Sequence, residues 1–372
     1  MPSPAIKTLD ELKEFLYRAM QLEHATIPPY LTALYSIKPG VNQAASQVLR
    51  VVVVEEMLHL TLAANLLNAI GGTPDLTKPG FVPTYPAYLP DGEEDFQVGI
   101  AAFSLETIET FLKIERPAER SDAARNATGL IERSYAPEQT VLVSHPDSFD
   151  LHYYSIGEFY EAIAQGFEFL ENEANRNRGT IFVGDASRQI TSEYYYSGGG
   201  ELHPVTDLKS ALSAIHLIIE QGEGEGGGIY DDGTDELAHY YRFNELKEGR
   251  YYQRGDEPEK PTGPALQVDW DGAYPVKPNL KVSEIPEGSE LHSATVAFNT
   301  RYSEFLALLT RAYNGEPKLL LEAVPLMFEF RNLMLELLRN PLPNHPGLFG
   351  SPTFEIPGVE VPVDHQKAEE IA

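Results

Sequence analysis

The sequence contains no cysteine among its 372 residues. Disulfide bonds, thiolate metal sites and cysteine nucleophiles are therefore all excluded. A transition metal in this protein would have to be held by histidine and carboxylate side chains, which suit iron, manganese or zinc better than softer metals. The lack of cysteine thus restricts any metal chemistry to nitrogen and oxygen ligands.

Basic residues are also scarce. The chain has 28 lysines and arginines against 56 aspartates and glutamates, which gives a formal net charge of −28. A general basic surface for nucleic acid and docking on anionic lipid are both disfavoured by this charge. The acidic residues either form a solvated surface whose charges repel one another, or some of them are concentrated at a cation site.

Long apolar runs are missing from the amino terminus. The segment "MPSPAIKTLDELKEF" has no apolar core of a signal peptide, and we expect no membrane-spanning segment in the chain. A cytoplasmic location is therefore the expectation. Hydrophobic residues make up 42% of the sequence, as in globular proteins, and the length is compatible with one large domain or two.

The hydrophobic spacing predicts a mainly helical protein with few strands. Pro28 and Pro29 should kink or end the first helix, Pro204 should lie at the start of the fifth, and Pro325 should kink the last. Residues 116–150 and 249–290 are polar or rich in proline and glycine, and predict loops or a wrapping linker. The helices are predicted at residues 7–26, 42–70, 104–114, 155–175, 205–221, 234–248, 287–313 and 317–339.

Two of these helices carry acidic residues on their apolar faces. Glu23 continues the stripe of Leu12 and Leu16, and Glu56 interrupts the apolar face of the second helix. His59 follows Glu56 at i+3, so both side chains lie on one helical face. A buried charge is costly unless it is paired or bound to a metal. The pattern therefore indicates a cation between the helices.

The next two long helices offer further acids. Glu158 lies in the third long helix, and Glu220 and Glu223 lie three residues apart in the fourth. One glutamate from each of two helices, with a paired motif from each of the others, is typical of a carboxylate-bridged dimetal bundle. A second Glu-x-x-His motif is absent from the fourth helix. His216, one turn before Glu220, or His239, in the following short helix, could supply the second imidazole.

Two neighbours of these residues are expected to play lesser roles. Glu55 is predicted to be exposed or to contact the ligands from outside. His24, beside Glu23, is predicted to be a hydrogen-bonding neighbour and not a ligand.

A set of motifs resembles the ferritin-like domain family that includes iminophenylpyruvate dimer synthase. These motifs are "LEHATIPPYLTALYSI", "EEMLHLTLAANLLNAIGG", "SIGEFYEAI", "IIEQGEGEG" and "LAHYYRFNEL". The later segments "YPVKPNL" and "GSPTFEI" also resemble this family, so the similarity spans nearly the whole chain. The resemblance implies an all-α fold, namely a ferritin-like four-helix bundle with long loops and an added C-terminal helical pair.

The resemblance also implies which residues form the site. It favours His239 over His216, and it implies that Arg242 binds a substrate carboxylate through its bidentate guanidinium group. The implied metal ligands are Glu23, Glu56, His59, Glu158, Glu220, Glu223 and His239.

The function implied by the resemblance is oxidative chemistry in secondary metabolism. We expect two metal ions, iron in the first place with manganese or zinc as alternatives, and O2 as co-substrate. The expected substrate is a small amino-acid-derived molecule, such as an aromatic amino acid or its imine, which would be oxidised or coupled. Iminophenylpyruvate dimer synthase and its chromopyrrolate-forming relatives are much longer chains. The resemblance therefore supports the predicted fold and site better than the predicted substrate.

Two other functions remain open from the sequence. The protein could store or scavenge metal without catalysis, or it could be an accessory subunit of a biosynthetic pathway. A homo-oligomer or a pathway enzyme is a further expected partner. Three regions are predicted: a bundle at 1–248, a wrapping linker at 249–290, and a C-terminal helical pair with an extended tail at 291–372, packed on the bundle.

Overall fold

A computed structural model of the chain describes residues 5–91, 95–117, 153, 155–195, 198–224, 228–230 and 236–356. The predicted loop at 116–150 and the end of the tail lie almost wholly outside these residues. The described part is helical, and its only β pairing consists of isolated bridges. The helices are α1 (Leu9–Ser36), α2 (Gln43–Ala69), α3 (Leu105–Ile114), α4 (Ile156–Arg176), α5 (Leu208–Glu223), α6 (His239–Glu248), α7 (Glu290–Tyr313) and α8 (Leu319–Arg339).

The sequence predicted a kink or an end at the two prolines of α1, and the helix does not end there. Pro28 and Pro29 both lie inside Leu9–Ser36. Pro29 has no N–H to donate to the carbonyl of Ala25. The hydroxyl of Tyr85 donates to that carbonyl instead, at 2.9 Å. A side chain from a distant loop therefore satisfies the group that the proline leaves open.

Short polar side chains begin the next helices. The Ser104 hydroxyl accepts the N–H of Thr107 and caps α3. Ser155 caps α4 in the same way. Helix α5 begins later than predicted, because Asp207 accepts the N–H of Ser210 and so caps the helix after Pro204.

Four helices form the bundle that was predicted from the resemblance. Helices α1 and α2 make the most extensive helix pair, and α4 pairs with α5. Contacts of α1 with α4 and of α2 with α5 close the arrangement. The short helices α3 and α6 pack on each other, and α6 also contacts α2 and α5. The ends of α3 and α6 are thereby brought to the interior of the bundle.

The C-terminal helical pair, α7 and α8, packs on itself and against α1, and α7 also contacts α2. His24 of α1 forms part of this contact, since its Nε2 lies 2.5 Å from the hydroxyl of Tyr302 in α7. This contact agrees with the role predicted for His24 as a hydrogen-bonding neighbour. The division of the chain into three regions stays a prediction.

Helix α2 corrects the expectation that no segment approaches a membrane span. Within the described residues, Gln43–Ala69 has the length and apolar composition needed to cross a membrane. However, 83% of its most apolar window is buried inside the protein. Such burial is typical of the core helix of a bundle, and it accounts for the apolar composition.

Candidate metal centre

Six glutamate and histidine residues meet inside the bundle, and none of these residues is more than 4% exposed. The long helices supply most of them, and the ends of the two short helices supply the rest. They are Glu23 of α1, Glu55, Glu56 and His59 of α2, Glu115 directly after α3, and His239, the first residue of α6.

The first of two ligand groups is called here the His59 group and consists of Glu23, Glu56 and His59. The Nδ1 atom of His59 lies 3.5 Å from Glu23 Oε2 and 3.7 Å from Glu56 Oε1. The candidate ligand atoms of this group all lie within 4.8 Å of one another. Helices α1 and α2 together build it.

The second group, the His239 group, consists of Glu56, Glu115 and His239. The Nδ1 atom of His239 lies 3.0 Å from Glu56 Oε1 and 3.3 Å from Glu115 Oε2. Glu56 therefore belongs to both groups and faces both imidazoles with the same oxygen. The rings of His59 and His239 have centroids 5.6 Å apart. Glu56 is thus the carboxylate that the two groups share.

Buried hydroxyl groups fix the orientation of the carboxylates in both groups. A carboxylate held by a second hydrogen bond loses little further freedom when it binds a cation. Tyr160 donates to Glu23 at 2.5 Å, Thr26 donates to Glu56 at 2.8 Å, and Tyr30 donates to Glu115.

The two imidazoles are also held from outside. The Nε2 atom of His59 lies 2.8 Å from Gln221 Oε1, and the Gln221 amide nitrogen donates to the carbonyl of Gly199 at 2.6 Å. The Nε2 atom of His239 lies 2.8 Å from Glu55 Oε2. Because both partners accept hydrogen bonds, each ring keeps its Nε2 proton and presents Nδ1 to the ligand group.

The electrostatics of the centre are those of acids confined in a dry interior. Burial raises the pKa of Glu56 to about 7, and the nearby carboxylates of Glu115 and Glu23 add to this effect, while the hydrogen bond and charge of His239 oppose it. Burial lowers the pKa of His59 and His239, yet the surrounding carboxylates outweigh burial and raise both above the ordinary histidine value. Without cations the centre must therefore hold protons.

The residues present fit a pair of metal ions. With metal–ligand bonds of about 2.1 Å, two ligands of one ion lie about 3.0–3.4 Å apart. The separations from His Nδ1 to carboxylate oxygens are 3.0 and 3.3 Å in the His239 group, which lie within this range. In the His59 group they are 3.5 and 3.7 Å, so these side chains must move slightly closer together to bind one ion. Nitrogen and oxygen donors of this kind suit iron, manganese and zinc. Several carboxylates sharing a buried space also need a compensating positive charge.

Other residues predicted as ligands lie in other contacts, and neither group includes Glu158, Glu220 or Glu223. Glu220 Oε1 lies 3.0 Å from Nε2 of His216, whose side chain is 62% exposed. The Glu223 carboxylate accepts the N–H of Gly157 at 2.7 Å, at the start of α4. Glu158 is half-buried. Of the two histidines left open by the sequence, the structure brings His239 to the centre and leaves His216 at the surface.

Glu115 was missed by the sequence reasoning, whereas Glu55 takes the second of the two places predicted for it. Glu115 continues the apolar stripe of Ile108 and Phe111, just as Glu23 continues the stripe of α1, so the same signal was present in the sequence. Glu55 is buried and bonded to His239, so it contacts a candidate ligand from outside and is not exposed. The contact of Glu55 with His239 of α6 could not be predicted from the sequence of α2 alone.

Gln221 is the residue that α5 directs toward His59. It follows Ala214 and Ile218 on the buried face of the helix, at the spacing i, i+4, i+7. The sequence search considered acidic residues on this helix and passed over the amide. A polar residue of any kind on an apolar stripe was the usable signal.

Arg242 was expected to offer its guanidinium group to a substrate. Its Nε donates to the carbonyl of Leu237 and one terminal nitrogen donates to Glu236, both at 2.6 Å. The same terminal nitrogen lies 3.7 Å from Glu55 Oε1. The guanidinium group is thus engaged by protein groups and lies behind Glu55.

Comparison with known proteins agrees with this architecture. A family model described as ferritin-like matches residues 16–248. Dichlorochromopyrrolate synthase from Lentzea aerocolonigenes is 27% identical over 324 residues, which cover 81% of this chain but only 29% of that protein. The chain therefore spans less than a third of the length of this biosynthetic relative.

A solved structure shows the same fold. The crystal structure of a ferritin-like protein from Caulobacter vibrioides matches with a TM-score of 0.61 and 22% sequence identity. The match covers 94% of this chain and 100% of the other.

Proposed function

The chain belongs to the ferritin-like family, and we propose that it is a dimetal oxidase or oxygenase of secondary metabolism. The observation that supports this proposal is the sharing of Glu56 between two buried groups, each completed by one imidazole. Two cations close together repel strongly, and a shared carboxylate offsets that repulsion. A site that holds a single ion would not need the second group.

The ligands in this proposal are Glu23, Glu56, His59, Glu115 and His239. A pair of reduced iron ions bound there would supply electrons to O2, which accepts them as the substrate is oxidised. The chain's own residues hold the ligands in place through Tyr30, Tyr160 and Thr26, and the apolar bundle keeps bulk water away from them.

The proposed substrate is a small amino-acid-derived molecule, with an aromatic amino acid or its imine as the first choice. The similarity to dichlorochromopyrrolate synthase supports a biosynthetic role for this chain. The substrate and the product are proposed only as chemical classes. A cytoplasmic location is a further part of the proposal.

The proposal can be tested by metal loading and oxygen consumption. Protein purified without O2 is loaded with Fe(II), desalted and analysed for iron. O2 uptake is then followed with aromatic amino acids or with imines generated from them by an amino-acid oxidase, and the O2 that the oxidase itself consumes is measured separately and subtracted. We expect two iron atoms per chain and O2 uptake that depends on an organic substrate. Accumulation of ferric mineral beyond two atoms per chain, without substrate oxidation, would indicate storage. Protein that binds no metal would refute the proposal.

A further inference from the structure

We propose that the two halves of the centre bind metal ions unequally and that the His239 group fills first. This inference rests on the proposed dimetal function. It comes from the outer partners of the two imidazoles, which differ in charge: His239 is bonded to the carboxylate of Glu55, whereas His59 is bonded to the amide of Gln221.

The carboxylate behind His239 is firmly placed. Its Oε2 lies 2.8 Å from His239 Nε2, and its Oε1 lies 3.7 Å from the guanidinium group of Arg242. Arg242 is itself anchored by Leu237 and Glu236. A carboxylate in this position accepts the Nε2 proton strongly and makes Nδ1 a better electron donor to a cation.

The partner of His59 is neutral. Gln221 presents its oxygen to Nε2 because its nitrogen donates to the carbonyl of Gly199. The glycine lies so close to α2 that a Cβ atom at position 199 would be 3.0 Å from the Cα of Glu55. The amide therefore orients the ring as well as a carboxylate would, but it adds no negative charge.

Charge and spacing both favour the His239 group. Glu56 is common to both groups, so the comparison is between Glu115 with Glu55 on one side and Glu23 on the other. The guanidinium group of Arg242 offsets part of the Glu55 charge, but Glu115 balances Glu23, so the His239 side keeps the greater negative charge. The distances from Nδ1 to carboxylate oxygens are also shorter in the His239 group, at 3.0 and 3.3 Å, than in the His59 group, at 3.5 and 3.7 Å. A cation that enters the centre is therefore attracted more strongly beside His239, and the side chains there need to move less to bind it.

The wild-type protein tests the order of filling directly. Crystals of protein prepared with one equivalent of Mn(II) are measured at a wavelength where manganese scatters anomalously. We expect the main peak between Glu56, Glu115 and His239. Equal peaks at the two groups, or a main peak beside His59, would overturn the inference although the dimetal proposal would stand. Absence of Mn(II) at both groups, even with excess metal, would instead count against the dimetal proposal.

Variants test the cause. Glu55→Gln keeps a hydrogen-bond acceptor but removes the charge, and we expect the tighter of the two Mn(II) affinities to weaken about 10- to 100-fold in calorimetric titration. Gln221→Glu should strengthen binding at the His59 group and narrow the difference between the two sites. Glu168→Gln, a substitution on the exposed face of α4, is the charge-matched control and should change neither affinity. If Glu55→Gln titrates as the wild type does, the carboxylate does not set the order.

Discussion

At the scale of single residues, Glu56 occupies the position on which both ligand groups depend. Its Oε1 atom faces the Nδ1 atoms of His59 and His239, whereas Glu23 and Glu115 each serve one group. A carboxylate in such a place has an effect on metal binding that its neighbours cannot have. Substituting Glu56 should therefore change the number of ions bound as well as their affinity, and it should do so more than substituting Glu23 or Glu115.

Glu56→Gln should abolish binding of both ions, with affinity reduced by more than about 100-fold, while Glu23→Gln should leave one ion bound beside His239. Elemental analysis after metal loading and desalting measures the stoichiometry. Burial raises the pKa of Glu56 to about 7, so the folded metal-free protein loses stability as the pH rises from the ordinary value of 4.5 to 7. Metal-free Glu56→Gln should hence be no less stable than the wild type at pH 8. One ion retained by Glu56→Gln would contradict the shared role.

Glu245 of α6 provides a pH-dependent prediction away from the ligands. Burial raises its pKa to about 7, although the N–H of Tyr252 and the charge of Arg242 act in the opposite direction. Its stabilising contribution should be fully present below pH 4.5, the ordinary value, and should be lost as pH rises toward 7. Relative to Glu245→Gln, the wild type should lose about 1–2 kcal/mol of unfolding free energy between pH 4.5 and 8.

Urea unfolding of both proteins at these two pH values measures this difference. Other groups titrate equally in the two proteins, so the change in their difference isolates Glu245. A constant difference across the range would show that the side chain is ionised without cost.

At the scale of structural elements, the end of α2 depends on a close approach of the loop that follows α4. The N–H of Gly184 donates to the carbonyl of Ala69 at 2.9 Å. A Cβ atom at Gly184 would lie only 1.8 Å from the carbonyl oxygen of Asn68. The atoms on both sides of this contact belong to the backbone, which cannot move aside as the end of a flexible side chain can.

Gly184→Ala should therefore destabilise the protein by about 3 kcal/mol, since the loop must move away from the helix end. Gly179→Ala is the matched control in the same loop, because the nearest atom to its Cβ would be 3.7 Å away. This control should change stability by less than about 0.5 kcal/mol. Urea unfolding at one pH compares the two variants, and equal effects would refute the steric explanation.

At the scale of the whole molecule, the segment between the bundle and the C-terminal pair is attached to the turn between α1 and α2 and to Phe103, just before α3. The only tryptophan, Trp270, stacks on Phe103 with ring centroids 5.2 Å apart. Beside it, Asn42 exchanges two hydrogen bonds with the backbone of Asp269, and Tyr274 donates its N–H to Ser36. These contacts predict that the segment unfolds together with the bundle.

Trp270 makes this cooperativity measurable. Its fluorescence reports the segment, and far-UV circular dichroism reports the helices, so the two unfolding curves in urea should coincide. Trp270→Phe serves as the control, since it should remove the fluorescence transition of tryptophan and leave the dichroism curve nearly in place. A fluorescence change at lower urea concentration would show that residues 249–290 detach while the bundle remains folded.

The sequence by itself determined the helical class, the approximate positions of the helices and the candidate status of Glu23, Glu56 and His59. These results depend on the period of the α-helix, which puts residues three or four apart on one face and makes a charge on an apolar stripe conspicuous. The resemblance to ferritin-like proteins added His239, which the spacing alone left in competition with His216. The confirmed fold class came from the same motifs.

Only the tertiary structure decided which faces meet. It brought Glu115 and Glu55 to the two imidazoles, directed Gln221 toward His59, and placed Glu220 beside the exposed His216. In the folded protein α1 also continues through Pro28 and Pro29. There the hydroxyl of Tyr85 bonds the carbonyl of Ala25, which Pro29 leaves without a donor. Helical periodicity specifies the face of a residue but neither its depth nor its neighbour across the interface, and these depend on how separate helices pack together.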